Sequence, residues 1–202
     1  MALRTILFDL GNVLLNFSHE RMCRQVAQLF SASPELVRER ILTSGAYLDF
    51  DRGRLTEEDL HGRLQSDLNK LSEINDLRRA VGDIFEPNVQ MHEFLPRLKA
   101  QELRLVLLSN TCVTHINWIR SHFETLSYFD DLVLSYEVGA CKPDAKIFQA
   151  ALNKIQCRPD ECFYTDDIQE YVMAGRLHGL HAEVFTSANQ FRKDLAALGV
   201  ML

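Results

Sequence analysis

The chain has 202 residues, 47% hydrophobic and 25% charged, which suits one globular domain with a sizeable insertion or two small domains. A formal net charge of -6 and the lack of any Lys/Arg block argue against a nucleic-acid or membrane-surface partner. Five cysteines without a C-x-x-C pair read as free thiols of a reducing cytoplasm. The apolar N-terminus, interrupted by Asp9, reads as neither signal peptide nor membrane span.

Ile6-Leu7-Phe8 is a short apolar run that delivers Asp9 and stops at Leu10-Gly11-Asn12, the pattern of a buried strand ended by a tight turn. Residues 17–30 then carry Met22, Val26, Leu29 and Phe30 at helical spacing. Ser33-Pro34-Glu35 reads as a helix start, with Ser33 as N-cap, and that helix runs to Gly45. The following stretch reads as a loop up to Thr56, whose T-x-x-D pattern with Asp59 is close to a capping box. Helical patterns fill residues 60–71 and 74–85. Residues 16–88 are therefore predicted to form an all-helical insertion.

Strand–helix alternation resumes after Pro87. A helix over 91–101 precedes a strand over 103–108 that ends in Ser109-Asn110-Thr111. Next come a helix over 115–123, a short strand over 132–134, a loop carrying Lys142 and an amphipathic helix over 145–155. A strand over 162–164 ends in Thr165-Asp166-Asp167, and a helix over 171–177, a strand near 182–185 and a partly helical tail complete the chain. This alternation predicts an α/β fold, a doubly wound parallel sheet with a Rossmann-like core of residues 1–15 and 89–202 and an inserted helical cap of residues 16–88.

In such sheets ligands bind outside the carboxyl ends of the strands. Taken singly, Asp9 is a turn residue, Ser109-Asn110 an N-cap, Lys142 a solvated loop residue and Asp166-Asp167 a helix-start signal. Taken together, four polar strand ends opening on one sheet edge imply one site.

In order and context these stretches closely resemble the haloacid dehalogenase superfamily of phosphohydrolases. The four motifs are F-D-L-G-N-V with Asp9, L-L-S-N-T with Ser109, C-K-P-D-A-K-I-F with Lys142, and F-Y-T-D-D-I with Asp166 and Asp167. The insertion lies where family members carry a helical cap, and Asp51-Arg52-Gly53-Arg54-Leu55-Thr56 resembles a cap segment of the sugar-phosphate phosphatases. The resemblance implies a nucleophile at Asp9 and a Mg²⁺ held by Asp9, the Gly11 carbonyl and Asp167, with Asp166 behind it. It also implies phosphate binding by Lys142, Ser109 and the backbone N–H groups of Leu10, Gly11 and Asn110. A phosphoryl group is ringed by negative oxygens, so an anionic nucleophile needs a hard cation and a lysine beside it.

Many members carry a second Asp two residues after the nucleophile as general acid and base, worth roughly 10²–10⁴-fold. Here that position is Gly11. The expected activity is therefore phosphatase action on a small phosphorylated metabolite, such as a sugar phosphate, with reduced turnover or a good leaving group. Two alternatives are a metal-free 2-haloacid dehalogenase and a catalytically silent binding module. Tyr171, where relatives often have Asn, reads as a packing difference, and His178 and His181 read as surface residues. Tyr47, Phe50 and Arg52, in the predicted loop between cap helices, are expected to face the substrate.

Overall fold

The computed structural model describes residues 3–202. Among these, five parallel strands form one sheet: β1 (Thr5–Phe8), β4 (Arg104–Ser109), β5 (Asp131–Leu134), β6 (Cys162–Asp166) and β7 (His181–Val184), in the order β5-β4-β1-β6-β7. Side chains alternate across it as the pleat requires. Ile6, Phe8, Leu105, Leu107 and Phe163 enter one apolar cluster, and Leu7, Val106, Leu108, Cys162 and Tyr164 enter the other. The first face is covered by α6 (Val89–Lys99), α7 (Val113–His122) and α11 (Ala188–Ala197), and the second by α9 (Ala145–Ile155) and α10 (Gln169–Leu177). Burial on both faces is why these strands read as near-continuous apolar runs.

Register places the site. Phe8 pairs with Leu107 on one side and Thr165 on the other, so the next residues, Asp9 and Asp166, emerge side by side. The Asp9 N–H continues the ladder by donating to Thr165 O at 3.0 Å. Ser109 ends β4, and Lys142 follows β5 through the single-turn α8 (Ser135–Val138).

Between β1 and α6 the chain builds α1 (His19–Phe30), α2 (Pro34–Arg38), which runs into a π-helical turn (Glu39–Thr43), then α3 (Ala46–Asp51), α4 (Glu57–Leu68) and α5 (Ile74–Gly82). Ser18 and Ser33 cap α1 and α2, and Thr56 with Asp59 makes the full capping box of α4. Side-chain caps satisfy backbone donors that a helix start leaves unpaired.

Two expectations are corrected here. Residues 16–88 are not all helical: β2 (Leu15–Phe17) pairs antiparallel with β3 (Phe85–Pro87). Strands of three residues, one ending in proline, are too short to show a period-two pattern. Residues 46–51, expected as loop, form α3, which buries Ala46 and Phe50 at i,i+4 spacing, and six residues are fewer than a periodicity window needs. No described helix is long and apolar enough to cross a membrane.

Candidate active site

Lys142 is the hub of the sheet's carboxyl edge. Its ammonium donates to Asp9 Oδ1 at 2.6 Å, Asp166 Oδ2 at 2.6 Å and Leu108 O at 3.2 Å, so all three of its donors are used. Its backbone is gripped by one side chain: Lys142 N donates to Asn110 Oδ1 at 2.7 Å while Asn110 Nδ2 donates to Lys142 O at 3.1 Å. The ring of Tyr171 lies 5.1 Å below the ammonium, a cation–π distance, and its hydroxyl accepts from Asn110 Nδ2 at 3.4 Å. Tyr171 thus belongs to the site and is more than the packing residue expected from the sequence.

The two motif-four acids sit differently. Asp166 is fully buried, its Oδ2 accepting from Lys142 and, at 2.5 Å, from the Tyr164 hydroxyl, and its Oδ1 accepting from Ile168 N at 2.9 Å. Asp167 instead lines the cavity, and its Oδ2 accepts from Asn12 Nδ2 at 3.0 Å. Asn12 reaches it from a left-handed conformation, φ 55°, that Asn tolerates better than most residues. Asp9, Asp166 and Asp167 each bring a carboxylate oxygen within 4.8 Å of the others.

Charge is the central problem of this cluster. Burial pushes the Asp9 carboxyl up from its usual range, against the Lys142 ammonium, which lowers it, and with Asp166, which raises it further. Burial alone would lower Lys142, yet Asp9 and Asp166 raise it well above its ordinary value, so it stays charged. One ammonium faces three carboxylates. A divalent cation would balance the remainder, and an all-oxygen donor set suits Mg²⁺.

The cavity at this edge holds about 260 Å³. Asp9, Leu10, Gly11, Ser109, Asn110, Lys142 and Asp167 all line it, so the structure brings the expected phosphate and metal residues together, with Asp166 buried behind. The insertion contributes Tyr47, as expected. Phe50 is instead packed in the hydrophobic core at 2% exposure, and Arg52 lies beside the Cys141 thiol, so neither lines the cavity. Phe50, one turn on from Tyr47 in α3, is a member of the core cluster, whereas Tyr47 is partly buried against that cluster and still lines the cavity.

Further lining residues not expected at the site from the sequence include His19, Phe17, Asp51 and His115. His19 Nε2 lies 3.2 Å from the Tyr47 hydroxyl, and the His115 ring sits 5.0 Å from Phe85 and 6.1 Å from Tyr47. Burial pulls His115 down to about 3, assisted by nearby His19, so it is neutral. Burial pushes Asp51 up to about 7. The sole signal for Asp51 was its place in the D-R-G-R-L-T cap segment. The others carried none, being scattered over the chain.

Gly11 completes the geometry. A Cβ built there would fall 2.7 Å from Phe17 Cε1, and Phe17 is itself held against His19 at 5.0 Å and Phe85 at 6.3 Å. The place where an acid side chain would begin is filled by an aromatic ring.

The model of the haloacid dehalogenase-like hydrolases matches residues 3–179. The chain belongs to that family. A D-ribitol-5-phosphate phosphatase of Bacteroides thetaiotaomicron is 21% identical across 97% of this chain and 98% of its own length. Among solved structures, a family enzyme from Bacteroides thetaiotaomicron in complex with magnesium and inorganic phosphate superposes with a TM-score of 0.81. It is 23% identical over 92% of this chain and 95% of that one. A haloacid dehalogenase-like hydrolase from Porphyromonas gingivalis reaches 0.82 at 24% identity, covering the whole of both chains. These neighbours share the fold of this family member, a parallel sheet flanked by helices.

Proposed function

We propose that this haloacid dehalogenase-like hydrolase is a Mg²⁺-dependent phosphatase of a small phosphorylated metabolite, with Asp9 as nucleophile. The observation that carries the reading is the Lys142 ammonium bridging Asp9 and Asp166 at 2.6 Å each, with a third carboxylate, Asp167, on the cavity wall. Asp9, the Gly11 carbonyl and Asp167 would hold the ion, with Asp166, whose oxygens are occupied by Lys142, Tyr164 and Ile168, behind them. Bound there, Mg²⁺ supplies the positive charge that lets a carboxylate approach a phosphate.

Asp9 attacks phosphorus, the ester P–O bond breaks, and the alcohol departs from an aspartyl phosphate that water then hydrolyses. Lys142 orients the Asp9 carboxylate, and Ser109 with the Leu10, Gly11 and Asn110 N–H groups lies where phosphate oxygens need donors. With Gly11 in place of an acid, the departing oxygen takes its proton from solvent water, which lowers turnover on ordinary alcohol esters relative to esters with good leaving groups such as a sugar 1-phosphate. The Bacteroides relative, named for action on D-ribitol 5-phosphate, supports a small phosphorylated sugar or polyol.

The dehalogenase reading is set aside because two further carboxylates beside Asp9 would repel a halo acid and a departing halide. The silent-module reading is set aside because nucleophile, lysine and acids are assembled in one cavity. The test is phosphate release from p-nitrophenyl phosphate. Activity that needs Mg²⁺, stops with EDTA and vanishes in Asp9→Asn supports the proposal. Equal, metal-independent activity in wild type and variant would sink it.

A further inference from the structure

Buried polar atoms in native proteins nearly always have a hydrogen-bond partner, so the exceptions point to something. Among the described residues, two buried side-chain atoms lack one: Asp51 Oδ1 and His115 Nε2. They come from different parts of the fold, Asp51 from the end of α3 and His115 from α7, yet both residues line the cavity that holds Asp9. We propose that Asp51 and His115 form a hydroxyl-reading subsite for the leaving group, selecting a phosphate ester whose short carbon chain carries hydroxyls.

This deepens the phosphatase reading and rests on it. The chemistry of the two atoms sets the ligand class. The Val81 carbonyl also acts on the His115 ring, and because Nε2 has no partner that influence falls on Nδ1. The proton is thereby assigned to Nδ1 and Nε2 is a bare acceptor. Asp51 Oδ1 likewise lacks a partner, and its carboxyl can accept from a hydroxyl or, when protonated, donate to one. A phosphate group has no donors to offer when ionised, whereas a hydroxylated chain offers one per carbon. Burial without a nearby cation favours the neutral carboxyl of Asp51, which suits a hydroxyl better than an ammonium.

Shape and rigidity agree. The cavity of about 260 Å³ has room for a phosphate and a few carbons. Phe17, Tyr47 and Phe85 also line the cavity and give it an apolar surface for C–H groups. Asp51 is pinned from below, since its carbonyl accepts from Ser135 Oγ at 2.6 Å while that hydroxyl accepts from Thr111 N at 2.8 Å. A site built around groups that pair with hydroxyls rejects an analogue lacking the hydroxyls, because those groups stay unpaired.

The experiment compares a pentitol phosphate, n-pentyl phosphate and 5-aminopentyl phosphate as substrates of the Mg²⁺-loaded wild type, Asp51→Leu and His115→Phe. The wild type should favour the pentitol ester over the pentyl ester at least tenfold in kcat/KM, and that ratio should fall at least tenfold in each variant. A wild type indifferent to the hydroxyls, or one that prefers the amine, overturns the subsite. So does an equal loss on all three esters in the variants. The wild-type comparison decides by itself if a buried-site variant does not fold. Titration calorimetry of the pentitol and pentyl esters with Asp9→Asn separates the two proposals. Hydroxyl-dependent binding without wild-type turnover overturns the phosphatase reading alone. Turnover without hydroxyl preference overturns the subsite alone.

Discussion

The ring of Phe17 stands where a side chain on residue 11 would have to start, with Cε1 2.7 Å from a Cβ built on Gly11. The missing acid is therefore compensated by packing, and the turn cannot accept one without moving an aromatic ring. Gly11→Asp should lower stability by about 1–3 kcal/mol, the cost of overpacking, with no gain in turnover. Gly11→Asp combined with Phe17→Leu should recover much of that stability, and only then should turnover rise. Urea denaturation and phosphate release from p-nitrophenyl phosphate check both halves. A faster single variant would show that the ring yields freely.

Lys142 has the most exacting place in the fold. Its ammonium is almost fully buried and neutralises part of the charge of Asp9 and Asp166. Removing one partner of a buried ion pair costs about 3–5 kcal/mol, because the carboxylates left behind stay desolvated. Lys142→Met should lose that much in chemical denaturation, and lose phosphate release with it. Millimolar Mg²⁺ should restore part of the stability by taking over the charge.

Asp51 and His115 should leave opposite marks on the pH dependence of stability. The His115 value falls from 6.5 to about 3 on folding, so its contribution is full above pH 6.5 and is lost as pH falls toward 3. The Asp51 value rises from 3.8 to about 7, so its contribution is full below pH 3.8 and is lost as pH rises toward 7. Between roughly pH 4 and 6.5 the two slopes, each about 1.4 kcal/mol per pH unit, oppose one another. Relative to wild type, Asp51→Asn should become more stable with rising pH in that window and His115→Phe less stable. Unfolding free energies at pH 4.5, 5.5 and 6.5 would show it, and parallel curves would refute it.

Gly53 docks the insertion against the sheet's edge. It has φ +66°, and a Cβ there would collide with the Tyr136 carbonyl oxygen. Gly53→Ala therefore combines left-handed strain with a backbone collision, and should cost at least about 1 kcal/mol. Because Asp51 lies two residues away, substrate binding should weaken along with stability. Gly45→Ala, at φ +85° with open space around its Cβ, is the control and should carry the strain alone.

Much of this fold was legible because an apolar run broken by a polar residue reports a local fact, the burial of one strand and the end of it. The runs before Asp9, Ser109 and Asp166 say this without reference to any other part of the chain, and so do the caps at Ser33 and Thr56. Order along the chain then sufficed to gather Asp9, Ser109, Lys142 and Asp167 on one edge, since parallel strands all end on the same side. The β2–β3 ribbon and α3 were not legible, because three to six residues hold too few turns of any period to stand out. Nor could local pattern show that Phe17 fills the space over Gly11, that Phe50 turns into the core, or that Asp51 and His115 meet at one cavity. The sequence by itself determined which residues end the strands. Tertiary structure alone decided which side chains face them, because those distances depend on how the insertion packs across the sheet's edge and not on any spacing along the chain.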